Sequence, residues 1–200
     1  MPRNPANLWH DRALALLVSF LSNTLGRLSW TAAQRVGGAL GGFCWWVLAR
    51  DRKRSLAHLE IAFPDSSAAE RQRIARASFR DLGTTLGECL HLLRRDSAAL
   101  STHITFEGWE NLDAVRAAGR PIVILTGHCG NWELLAGALA TGGLPLAAVA
   151  RSLDEPGLQR LLAGLRARFG TETIERGRDG SARQILAALR RGTALGLLID

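Results

Sequence analysis

Four consecutive apolar residues, Ile122-Val123-Ile124-Leu125, are closed on one side by Pro121 and on the other by Thr126-Gly127. A run this short, rich in β-branched side chains and bounded by Pro and Gly, reads as a buried strand. Asn131 then offers a helix N-cap, and Trp132 onward continues with helical composition to Ala140. The same alternation recurs along the chain. Strands are expected at Ile104–Glu107, Leu146–Val149, Thr171–Ile174 and Ala194–Ile199. Helices are expected at Glu70–Leu93, Trp109–Ala118, Pro156–Phe169 and Ser181–Arg190. Strands separated by helices predict an α/β fold, a mostly parallel sheet flanked by helices on both faces. There are no internal repeats and no low-complexity segments.

The region before Arg50 reads differently. Ala13 to Leu25 is apolar with small polar interruptions, and Val36 to Ala49 is apolar, Gly-rich and contains Trp45-Trp46. Neither stretch reaches the roughly 20 uninterrupted apolar residues of a spanning helix. The mixed-charge lead His10-Asp11-Arg12 does not resemble a signal peptide. Trp9, Trp30, Trp45 and Trp46 are spaced as interfacial anchors are. Beside them Arg50-Asp51-Arg52-Lys53-Arg54 would face anionic lipid on the cytoplasmic side. Residues 1–50 are therefore expected to be N-terminal membrane-anchoring helices, and 51–200 a separate domain; the plainer alternative is a pair of core helices in a soluble domain. Gly37-Gly38 and Gly41-Gly42 lie inside the helical pattern and read as close-packing positions.

The formal charge is +7, and Lys53 is the only lysine, so the excess is arginine. Arginine pairs bidentately with phosphate, as lysine does not. A basic surplus suits anionic lipid head groups or an acidic protein. No nucleic-acid-binding module is recognisable, and aromatic and basic residues do not alternate, so nucleic acid is not an expected partner. Cys44, Cys89 and Cys129 have no metal-ligand spacing, and the odd count fits reduced thiols. No metal and no nucleotide cofactor is expected.

His128 falls on the turn between the strand end and the helix start, where ligands bind in open α/β sheets. Glu133 follows five positions later, in the first turn of the helix. An imidazole held by a carboxylate can take a proton from an alcohol, because imidazole titrates near neutrality. Gly127 and Gly130 on either side allow close backbone approach. Asn131 and Trp132 add a polar group and an apolar wall. Cys129 is a second candidate nucleophile; a small apolar filler is the simpler reading.

The run Thr126 to Glu133, TGHCGNWE, resembles the histidine–four residues–carboxylate block of the glycerolipid acyltransferase superfamily. Its Gly-Asn-Trp-Glu ending resembles the bacterial lipid A acyltransferase branch, the lauroyl and myristoyl transferases of lipopolysaccharide assembly. Arg50–Arg95 is similar to that branch's helical lead-in, Arg151–Gly170 to its arginine, proline and Leu-rich helix, and Leu186–Asp200 to its next helix, strand and terminal aspartate. His58, Cys129 and Ala150 depart from the pattern, as does the absence of tyrosine. The resemblance implies an O-acyltransferase with His128, Glu133, Arg166 and Asp200 as catalytic residues and Gly130, Asn131, Trp132 and Arg151 at the substrate. It implies a thioester donor, acyl-acyl carrier protein or acyl-coenzyme A, and a membrane glycolipid acceptor, a lipid A precursor. The setting implied is the bacterial inner membrane, with the site facing the cytoplasm. Family members run on for about another hundred residues, so a C-terminally truncated chain is expected. The rival readings are a phospholipid or mannoside acyltransferase of the same superfamily, a hydrolase using Cys129, and a non-catalytic membrane-binding fragment.

Overall fold

The computed structural model describes residues 16–95, 98–153 and 156–199. Residues 1–15, including Trp9 and the start of the first apolar stretch, lie outside them, as does Asp200. The described residues divide into two compact units, one of residues 20–94 and one of residues 95–199 together with 16–19.

The first unit is helical: the greater part of α1 (16–25), then α2 (Trp30–Val47), α3 (Ala49–Ala62) and α4 (Ala68–Leu92). Side-chain hydroxyls begin two of them: Ser29 Oγ accepts from Ala32 N at 3.3 Å, and Ser67 Oγ from Glu70 N at 3.1 Å. Each satisfies an N–H that the first helical turn leaves without a partner. Helices α2 and α4 lie against each other through glycine. A Cβ at Gly37 or Gly41 would collide with the backbone at Gly83 or Phe79, and one at Gly87 would sit 2.7 Å from the Ala33 carbonyl oxygen. The glycines of Val36–Ala49 are thus close-packing positions, as the sequence indicates, and the partner they pack on is α4.

That packing sorts the side chains of α2 and α4 onto two opposite flanks. On α2, residues 33, 37 and 41 point at α4, and a helix turns about 100° per residue. Val36, Leu40, Phe43 and Val47 therefore fall on one flank, and all four are exposed. Leu82 and Leu86 of α4 are exposed at the matching angle from its own contact line. Gly38, Gly42 and Arg35 fall on the other flank; Gly38 and Gly42 lie against Thr84 and Arg80 of α4. Among the described residues no helix is long and apolar enough to cross a membrane.

The tryptophans correct one expectation. Trp45 is buried, only 4% exposed, T-shaped on Phe79 (centroids 5.5 Å apart), with the Arg52 and Arg76 guanidinium groups over its ring. Trp30 packs edge-on against buried His91. Only Trp46 of the described tryptophans in this stretch is exposed as an interfacial anchor requires. Spacing along the chain cannot distinguish the flank that meets α4 from the flank that meets solvent.

The second unit is α/β. It contains α5 (Ala98–Ser101), α6 (Trp109–Ala117), β1 (Val123–Thr126), α7 (Trp132–Thr141), β2 (Leu146–Arg151), α8 (Pro156–Arg168), β3 (Thr171–Arg176), α9 (Ser181–Arg190) and β4 (Ala194–Leu198). The four strands form one parallel sheet in the order β1-β4-β2-β3. One face buries Leu146 and Ala194 with Leu139 of α7; Ile124 and Leu135 pack beside them. The other buries Ala147, Ile174 and Leu195 with Ala188 of α9. Helices therefore flank both faces, as the alternation predicts, but β1 is an edge strand with Val123 and Leu125 about half exposed, not the buried strand that its apolar run suggests. The strand expected at Ile104–Glu107 does not form; those residues are irregular. Phe106 instead packs on Trp109, ring centroids 4.8 Å apart, leading into α6, and the segment pairs with neither edge strand of the sheet.

Candidate functional site

The turn from β1 to α7 is built as the sequence implies. Gly130 holds φ +62°, a left-handed conformation that costs a β-carbon-bearing residue energy. Asn131 then caps α7, its side chain accepting from Leu134 N at 3.1 Å. Glu133 falls in the first turn, where the helix dipole favours a carboxylate. Residues 127–131 thus form a short loop at the C-terminal end of a parallel strand. His128 and Cys129 are exposed on it, and the His128 ring sits T-shaped on Trp132 with centroids 4.6 Å apart.

Glu133 points inward and is 6% exposed. Arg166, in the last turn of α8, meets it with both arms of its fork: Nε donates to Oε2 at 2.8 Å and Nη2 to Oε1 at 2.5 Å. Their side chains are 5% and 13% exposed, so this is a buried bidentate ion pair. It spans 33 residues of chain. Arg166 is singled out in the sequence only through the family resemblance; that it locks onto Glu133 is something the spacing could not reveal.

Beside the pair, α7 leaves a narrow cleft against the sheet. Thr126, Trp132, Glu133, Arg166 and Leu198 line its outer end, and Ile124, Leu135 and Leu146 its apolar interior. It encloses about 30 Å³, room for roughly one or two waters. His128 does not line it; Thr126 and Trp132, on either side of the loop, do. The first N–H groups of α7, those of Trp132 and Glu133, have no acceptor among the described residues, since the Asn131 side chain takes that of Leu134 and its carbonyl that of Leu135.

Arg151 closes β2 and is exposed, in register with Arg176 of β3. It does not line the cleft. The loop after it is tied down by Glu175, which sequence reasoning missed. Ser152 Oγ donates to Glu175 Oε2 at 2.7 Å, Gln159 Nε2 to its Oε1 at 3.4 Å, and Arg178 pairs with it at 2.5 Å. A carboxylate near the C-terminal end of an alternating strand is the one signal that marks it. Among the described residues no cluster of His, Cys, Asp and Glu could hold a metal.

The model of the family described as bacterial lipid A biosynthesis acyltransferase matches residues 1–200. The chain is also 23% identical over 153 residues to a lipid A biosynthesis myristoyltransferase of Escherichia coli (strain K12). It matches lipid A biosynthesis acyltransferase 1 of Shigella flexneri to the same extent. In both cases the match covers 76% of this chain and 47% of the relative, so the chain spans about half the length of the curated relatives it matches. With the histidine–carboxylate turn formed at a parallel strand's end, its carboxylate locked by arginine, and the family model matching from end to end, the chain belongs to the bacterial lipid A biosynthesis acyltransferase family.

Proposed function

We propose that the protein moves a fatty acyl chain from a thioester donor to a hydroxyl of a membrane glycolipid, a lipid A precursor. The observation that carries this reading is an exposed His128 on the strand-end loop, five residues before Glu133, whose carboxylate is held by Arg166. His128 takes the proton of the acceptor hydroxyl as its oxygen attacks the thioester carbonyl. The tetrahedral intermediate collapses, the carbon–sulfur bond breaks, and the thiolate leaves with the proton that the imidazolium returns. A carboxylate offers about four lone-pair sites and Arg166 uses two, so Glu133 retains acceptor capacity to orient the imidazole and stabilise its charged form. The free N–H groups of Trp132 and Glu133 supply donors for the oxyanion. Arg166 keeps unused guanidinium donors toward the same cleft. By family resemblance Asp200 completes the set, with Gly130, Asn131, Trp132 and Arg151 at the substrate. The donor is an acyl-acyl carrier protein, with acyl-coenzyme A as the smaller thioester of the same chemistry. Purified protein in detergent, given acyl-acyl carrier protein and a lipid A precursor, is expected to yield a glycolipid heavier by one acyl chain in mass spectra. Release of free fatty acid with no acylated glycolipid would replace this reading with a thioesterase.

The acceptor stays in its bilayer, so the enzyme works at the cytoplasmic face of the inner membrane. Support for this comes from the exposed flank Val36, Leu40, Phe43 and Val47 of α2 with Leu82 and Leu86 of α4. A contiguous exposed apolar face of that kind marks a membrane or partner contact. It lies flat on lipid as an amphipathic surface does. Leu40→Glu with Phe43→Glu is expected to keep the helical signal, because both side chains are already exposed. It should also release the protein from phosphatidylethanolamine–phosphatidylglycerol vesicles. Each side chain withdrawn from lipid forfeits about 1.5–3 kcal/mol. Flotation of the double variant at the wild-type level would show that this flank is not the anchor.

A further inference from the structure

The other flank of the α2–α4 pair has a different chemistry. Arg35 of α2 and Arg73, Arg76 and Arg80 of α4 border a groove also lined by the exposed small residues Ala39, Ala69 and Ala77. It is an open surface groove of about 1070 Å³. Small residues in the lining let a helix axis approach closely, and cations along the rim meet whatever charge it carries. Asp81 is the one carboxylate on the lining. Arg35 and Arg80 make no side-chain hydrogen bond or ion pair among the described residues, Arg76 lies over the Trp45 and Trp46 rings, and Arg73 pairs with Glu70 at 3.3 Å. At least two guanidinium groups therefore stand at the groove without a counter-charge.

We propose that this groove docks an acidic amphipathic helix of a protein partner. The choice of a protein over a lipid head group follows from the two flanks. The groove lies on the side of the helix pair opposite Leu40, Phe43 and Leu82. If that apolar flank rests on lipid, the groove turns toward the aqueous side, where phospholipid phosphates do not reach and a soluble acidic protein does. This step rests on the membrane reading above. An apolar face of the incoming helix would sit on the small residues while its carboxylates take the arginines, the helix-in-groove mode of recognition. Charge pairs of this sort raise the association rate and weaken with salt. An acyl-laden acidic carrier has the required chemistry, and docking it here would hold the donor on the enzyme.

The test is binding, so it reads independently of turnover. Fluorescently labelled acyl carrier protein is titrated with the protein in detergent and followed by anisotropy. Wild type is expected to bind, with affinity falling steeply as salt rises. Arg35→Glu with Arg80→Glu should bind at least tenfold more weakly at low salt, with an unchanged helical signal and unchanged flotation with phosphatidylglycerol vesicles. His128→Ala should bind as wild type does, so that a failed reaction mechanism and a failed docking site give different patterns. Transfer from acyl-coenzyme A, which needs no docking helix, should be unaffected by the arginine variant. Equal carrier binding by wild type and the arginine variant overturns the proposal, as does absence of binding by wild type. Loss of vesicle flotation in the arginine variant with carrier binding intact assigns the groove to lipid head groups instead.

Discussion

Replacing His128 by alanine is expected to lower the transfer rate by roughly 10²–10⁴-fold, the usual cost of removing a general base. The fold should not change. The ring is exposed on a loop, and its described packing contact is the T-shaped seat on Trp132, worth about 0.5–1.5 kcal/mol by analogy with aromatic pairs. If the proton is taken only as the carbonyl is attacked, kcat and kcat/KM should fall together, because the lost interaction belongs to the transition state. Single-turnover rates beside a thermal melt check both halves. Turnover within a few-fold of wild type would remove His128 from the mechanism. Cys129→Ser in the same assay is expected to keep its rate; a collapse there would move the chemistry to the thiol.

Arg166→Ala should be the most destabilising of the single changes considered. It leaves the Glu133 carboxylate buried without its cation, and breaking a buried ion pair from one side costs about 3–5 kcal/mol. Glu133→Gln should cost less, since the amide oxygen still accepts one of the two guanidinium hydrogen bonds. The informative variant removes both charges. Glu133→Leu with Arg166→Met fills the same space with apolar side chains, and such replacements are often neutral or stabilising. Chemical denaturation is expected to show much of the lost stability regained in the double variant, while transfer stays near the uncatalysed level. Recovery of activity along with stability would make the pair a structural tie and nothing more. A double variant as unstable as Arg166→Ala would mean that the cost lies in packing rather than in a stranded charge.

Much of this was legible because it is local. The turn from β1 to α7 follows from neighbouring residues: an apolar β-branched run, a glycine that accepts positive φ, and an asparagine whose side chain reaches the N–H three residues on. The glycines at 37 and 41 announce close packing because a missing β-carbon leaves few other reasons for such spacing in a helix. The errors were non-local. Ile104–Glu107 has two apolar residues at strand spacing, yet a strand exists only where it pairs along a partner's edge, and this segment pairs with neither β1 nor β3; Phe106 packs on Trp109 instead. Trp45 resembles an interfacial residue in the chain and is a core residue in the helix pair, because the Phe79 ring and two arginines close over it.

The sequence by itself determined the α/β class, the strand-end position of His128, the capped start of α7, and membership of a family through a motif compact enough to read in eight residues. The tertiary structure decided the rest. β4, the last strand in the chain, inserts between β1 and β2, which come before it. Periodicity shows that each of these strands is apolar but not which edges will pair, since similar runs offer similar ladders. In the same way Glu133 finds Arg166 across 33 residues only because β2 and α8 carry the chain out along the sheet and back over α7. Hydrogen bonds and ion pairs between distant residues depend on which surfaces the packed layers bring together, and that choice is made by the whole buried area at once.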